Sequence, residues 1–195
     1  MKRGGFKAAL VVFSTLLAAA TSAHADPGWN LLVSRVLQQP EPARVEVINS
    51  VINEIDHVPN PGIWLTPAEL LARGEGDCKD LALAKFLLLR QSGQTREKVR
   101  LGYGDTTLGN DKRLHLVVLL WVDDNSPLVL DNLLPGVHRL NDRRDLDIRF
   151  SFDEQNFYAG TGADRIRNQP IKGWQHLLTR VTVPDVGRTV APAQL

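Results

Sequence analysis

Gly74-Glu75-Gly76-Asp77-Cys78-Lys79-Asp80 runs directly into Leu81-Ala82-Leu83-Ala84-Lys85-Phe86-Leu87-Leu88-Leu89, and it holds the only cysteine of the 195-residue chain. A glycine loop followed by an apolar, helix-length run predicts a helix from about Cys78 to about Gln91, with Gly93 as its stop. Apolar residues lie almost all round it, which predicts a buried central helix. A thiol at a helix start feels the partial positive charge of unpaired backbone N–H groups, which favours the thiolate. Free cysteines are often inert buried hydrophobes. Glycine, charge and polarity crowd this one, as around a nucleophile.

Upstream, Asp26 to Asn30 reads as a turn-prone leader. Leu31 to Gln39 and Val45 to Asp56 carry apolar residues at helical spacing, parted near Pro40 and Pro42. His57 to Gly62 is a loop, because two prolines and a glycine forbid helix continuation. Thr66-Pro67-Ala68-Glu69 is a capping box with proline at the first helical position, predicting a helix from Pro67 to Arg73 that stops at Gly74.

Downstream the period changes. Val99 to Tyr103 is a short strand, Gly104 to Lys112 a loop, and Leu114 to Val122 a long β-rich strand. Asp123-Asp124-Asn125-Ser126-Pro127 is a turn cluster, and Leu128 to Asn132 is the returning strand of a hairpin. Ile148 to Asp153 alternates as another strand, Trp174 to Val181 forms a last strand or helix, and Pro184 to Leu195 is a flexible tail. Helices first and an antiparallel sheet afterwards indicate an α+β fold.

Lys2, Arg3 and Lys7 precede an uncharged apolar stretch, Ala8 to Ala20, which leads to Ala23-His24-Ala25. Residues 1–25 therefore read as a cleaved secretory signal peptide and residues 26–183 as one domain. Cleavage would shift the balance from 23 basic and 22 acidic residues to 20 and 22. A charge near neutrality argues against nucleic-acid binding and a polybasic membrane patch. In an exported chain Cys78 has no partner for an internal disulfide.

A cysteine nucleophile works with a base, usually histidine, oriented by a carboxylate or amide. His115 lies near the start of the longest apolar strand, where a polar ring is either paired in the core or functional. Asp131 lies on the return strand, placed about the turn so as to approach His115 and fix its tautomer, or to cap the strand end. His57, His138 and His176 read as surface residues. No histidine or cysteine cluster suggests zinc.

Cys, His and Asp in this order on helix, strand and strand resemble papain-like and transglutaminase-like peptidases. More narrowly, Trp64 to Glu69, Gly76 to Asp80, Leu114 to Leu119 and Leu128 to Leu133 resemble blocks of the bacterial transglutaminase-like cysteine proteinase family, that of the LapG-type periplasmic proteases. Arg144-Asp145-Leu146 and Ser151-Phe152 extend the resemblance over about residues 40–158. It implies a periplasmic endopeptidase that clips the N-terminal region of a large surface adhesin and so controls biofilm release. It also implies sequestration by a membrane-bound receptor of cyclic di-GMP. Cys78 would be the nucleophile, His115 the acid and base, Asp131 the orienting group, and the Cys78 N–H an oxyanion donor, with a second donor near Trp64. The alternatives are an acyl transferase using the same triad, or a non-enzymatic interaction module on the same fold.

Such proteases bind calcium through acidic residues around the cysteine, commonly Asp-Cys-Glu-Asp. Asp77 and Asp80 match, but Lys79 stands where the glutamate would be. An ammonium cannot ligate Ca²⁺ and repels it, so the expectation is reduced or absent calcium binding, with Asp77 and Asp80 acting as helix-start acids.

Overall fold

The computed structural model describes residues 26–108, 112–166 and 171–183; the proposed signal peptide and the tail from Pro184 lie outside them. Among the described residues the elements follow in the order α1 (Pro27–Leu37), α2 (Glu41–Asn53), β1 (Asp56–His57), α3 (Pro67–Arg73), β2 (Glu75–Gly76), α4 (Cys78–Gln91), β3 (Val99–Thr106), β4 (Arg113–Leu120), β5 (Leu128–Leu130), β6 (Val137–Arg139), β7 (Leu146–Phe152), β8 (Phe157–Ala159), β9 (Arg165–Ile166) and α5 (Trp174–Leu178). Strands β3 to β9 form one antiparallel sheet in the order β6-β5-β4-β3-β7-β8-β9. This is the expected α+β arrangement.

The Asp26 to Asn30 leader is instead the first turn of α1, because Asp26 caps it by accepting from the Trp29 N–H at 2.9 Å. Strand β3 continues through Gly104 to Thr106, and helix α2 stops at Asn53, three residues before the expected end, so that Asp56 and His57 form a short ladder with Glu75 and Gly76 of the glycine loop. Gly104 allows that continuation: β7 approaches so closely that a Cβ there would stand 2.0 Å from the Asp147 carbonyl oxygen. Strand β4 ends at Leu120, leaving Trp121 and Val122 to the turn. The short strands β6, β8 and β9 carried no readable period. The ambiguous Trp174 segment is helical, and Trp174 packs edge-on against Phe152 at 5.0 Å between ring centroids.

Helix α4 is buried from Asp80 to Arg90, as its all-round apolar pattern demands. Leu81, Phe86 and Leu88 join Leu116, Val118 and Leu120 of β4, Leu101 of β3, and Ile48 and Ile52 of α2 in the main core. Val117, Leu119 and Val129 form a smaller cluster with Leu146 on the other face of the sheet. Along β4, strand β5 pairs only with Val118, Leu119 and Leu120, so the first half of β4 is uncovered on that side. The site is built at this gap.

Candidate active site

The chain enters α4 through a sequence of local devices. Thr66 and Glu69 complete the capping box of α3, and Gly74 ends that helix at φ 69°, a left-handed conformation suited to glycine. Asp77 caps α4 and Asp80, three residues on, answers with its own carboxylate. Asp80 is fully buried: Oδ1 accepts from the Leu65 N–H at 2.9 Å, and Oδ2 from the Asp77 N–H at 3.1 Å. Cys78 is thereby set at the first position of the helix, half-buried. It lines a cleft of about 450 Å³ with His115, Leu114 and Leu116 of β4, Trp64, Tyr103 and Ile171.

Two expectations at this cysteine need correction. Burial pushes the thiol up to about 12, and the Asp77 carboxylate adds to the effect. A backbone hydrogen bond from Leu116 and the Lys79 charge oppose this without overcoming it, so the surroundings of the sulfur favour the thiol. The Cys78 N–H, expected as an oxyanion donor, already donates to Asp77 Oδ1 at 2.6 Å. That donor is engaged.

His115 and Asp131 are brought together as expected, though diagonally rather than face to face. Val118 pairs with Leu130, which puts Val117 opposite Asp131 and His115 two residues further along. His115 Nε2 lies 2.8 Å from Asp131 Oδ1, with both side chains buried. Asp131 Oδ1 also accepts from the Leu133 N–H at 2.8 Å. Burial alone would raise this carboxyl, but the hydrogen bond and charge of His115, the Leu133 N–H and the Arg143 charge together hold it well below the usual carboxylate range.

Sequence reading missed the residues that make a buried carboxylate tolerable here. Arg143 Nη2 donates to Asp131 Oδ2 at 2.6 Å, while its Nε and Nη2 donate to the two oxygens of Asp145, each at 2.9 Å. The resemblance had drawn attention to Arg144, one position along. Asn53 Nδ2 donates to the Asp131 carbonyl at 2.8 Å, and Lys85 Nζ donates to Asn53 Oδ1 at 2.6 Å. Lys85 did leave a signal: a lysine in a helix apolar all round must find a buried partner. Arg143 and Asn53 left none. His57 and His138 are exposed, in keeping with surface roles, and His57 Nε2 stands 3.7 Å from Asp77 Oδ1.

Calcium favours about six to eight oxygen ligands, and the residues present do not fit it. One oxygen of Asp77 and one of Asp80 hold the Cys78 and Leu65 N–H groups, and the Lys79 ammonium lies 3.3 Å from each remaining one. Among the described residues no group of three or more histidine, cysteine, aspartate or glutamate side chains is arranged to hold a metal.

No family model matches the chain, and no curated protein matches it. Solved structures do. Calcium-bound LapG of Legionella pneumophila is 24% identical over 78% of this chain and 87% of its own, with a TM-score of 0.68. EGTA-treated LapG gives 24%, 78%, 86% and 0.70. A further LapG structure is 25% identical over 70% of this chain and 78% of its own, with a TM-score of 0.62. The protein therefore has the α+β fold of the LapG-type transglutaminase-like cysteine proteases.

Proposed function

We propose that the protein is a periplasmic cysteine endopeptidase in which Cys78 is the nucleophile, His115 the general base and acid, and Asp131 the orienting group. The observation that carries this reading is the buried 2.8 Å contact between His115 Nε2 and Asp131 Oδ1 beside a cleft that also holds Cys78. With Nε2 held by a carboxylate, Nδ1 is the nitrogen left to take a proton. The Cys78 proton passes to His115 as sulfur attacks the scissile carbonyl carbon. His115 returns that proton to the leaving amine, which gives a thioester on Cys78. Water, deprotonated by His115, hydrolyses the thioester and restores the thiol. Asp131 fixes the ring and stabilises the imidazolium throughout.

The substrate in this reading is the N-terminal region of a large surface adhesin, and a cyclic di-GMP-controlled inner-membrane receptor is the regulatory partner. Both follow from the family resemblance, and the basic-then-apolar leader supports export. Incubating the purified protein with an adhesin N-terminal fragment tests the proposal. Cys78→Ala should abolish cleavage and keep the native circular dichroism spectrum. Cleavage by Cys78→Ala would refute the assignment. Release of an amine-coupled product in place of the hydrolysed one would instead identify an acyl transferase.

A further inference from the structure

Lys79 has no part in the proposed reaction, yet it lies beside the nucleophile and is mostly buried, with a side chain 15% exposed. Its Nζ donates to the Asn60 carbonyl at 2.6 Å and lies 3.3 Å from Asp77 Oδ2 and 3.3 Å from Asp80 Oδ2. An ammonium has three N–H donors and no acceptor, and three oxygens converge on this one. Two are carboxylate oxygens at the start of α4, and the third belongs to the loop between β1 and α3. Asp77 Oδ2 also accepts from the Asn60 N–H at 3.2 Å, so loop and helix start are joined twice. That loop continues through Pro61 and Gly62 to Trp64, one wall of the cleft.

We propose that the Lys79 ammonium is the resident cation of this site, pinning the cleft wall to the nucleophile helix and making the assembled site independent of divalent metal. Two hard carboxylate oxygens and a carbonyl are the donors a calcium ion would choose, but a tethered cation at high local concentration already neutralises them. The oxygens left over are committed to backbone N–H groups. Unlike an ion, the lysine cannot be removed by a chelator. Only the activity arm of the following test rests on the proposed peptidase function.

Calorimetric titration with CaCl₂ and thermal melting in CaCl₂ or EGTA, on the full chain, test the inference. The wild type should show no binding heat and one melting temperature in both media. Lys79→Met should melt several degrees lower in both, since two acids and a carbonyl lose their counter-charge. Lys79→Glu restores a third carboxylate; it should melt low in EGTA, bind calcium, and regain its melting temperature when calcium is added. Wild-type cleavage should proceed at the same rate in either medium. Stoichiometric calcium binding by the wild type would overturn the proposal, as would Lys79→Met melting unchanged or Lys79→Glu remaining indifferent to calcium. Melting and calorimetry need no turnover, so a chain that cleaved nothing would undo the peptidase assignment and leave these outcomes readable.

Discussion

The cysteine side of the cleft is held by hydrogen bonds between residues 15 to 19 apart, among Asn60, Leu65, Asp77, Lys79 and Asp80. On the histidine side Asn53 of α2 reaches Asp131 from 78 residues away, and Lys85 of α4 reaches Asn53 across 32. The first side satisfies helix-end N–H groups with acids, largely within one stretch of chain. The second gathers Asn53, Lys85, His115, Asp131 and Arg143 from five places in the chain around one buried carboxylate. Capping can be lost in parts, whereas a buried charge deprived of its partner is left at full desolvation cost.

The contrast can be broken most severely at Asp131. In the proposed mechanism Asp131→Asn keeps the shape but loses the charge that would support the imidazolium, so turnover of a peptide substrate should fall on the order of 10²–10⁴-fold. The native carboxyl is depressed, so its contribution to stability is present above the ordinary range near about 4 and is lost as pH falls below it. Acid denaturation of Asp131→Asn should therefore begin from a lower plateau and respond less to pH. A full-rate Asp131→Asn enzyme would remove this residue from the mechanism.

Arg143→Met comes next. It strips the buried Asp131 of an ion-pair partner and should cost about 3–5 kcal/mol in urea denaturation. A change below ~1 kcal/mol would show that His115 and the Leu133 N–H suffice for the carboxylate.

Lys85 tests the same side through pH. Burial pushes its amine down to about 7, against an opposing pull from Asp131, and in the unfolded chain it titrates near about 10.4. Between those values the unfolded state binds more protons, so stability should rise with pH, by at most ~1.4 kcal/mol per unit. Lys85→Met should flatten that slope; a slope that persists belongs to another group. The smallest effect is expected on the cysteine side, where Thr66→Ala removes one cap of α3 and should cost about 1 kcal/mol in the same assay, with little loss of cleavage.

The cysteine side was legible because its signals are local. Capping boxes, a left-handed glycine and an all-round apolar run each operate within a few residues, and α3 and α4 begin and end where those signals put them. The approach of His115 to Asp131 was legible too, since a hairpin pairs residues about its own turn, although the turn fixed the offset only to within two positions. The burial that favours the thiol form of Cys78 was not. The helix-start argument weighed the backbone dipole alone, while the burial that opposes it depends on how β4 and the loops close over the sulfur.

By itself the sequence determined the α+β order, the helix that starts at Cys78, the acids at its start and the lysine between them, because each follows from local propensity and periodicity. Only the tertiary structure decided that Arg143, Asn53 and Lys85 surround Asp131, that Asp77 occupies the Cys78 N–H, and that Lys79 fills a three-oxygen cradle. The contacts around Asp131 and the one from Lys79 to Asn60 join segments with no shared period, selected by the cost of burying a charge without a partner, whereas the Asp77 contact is local and depends on how its carboxylate is turned.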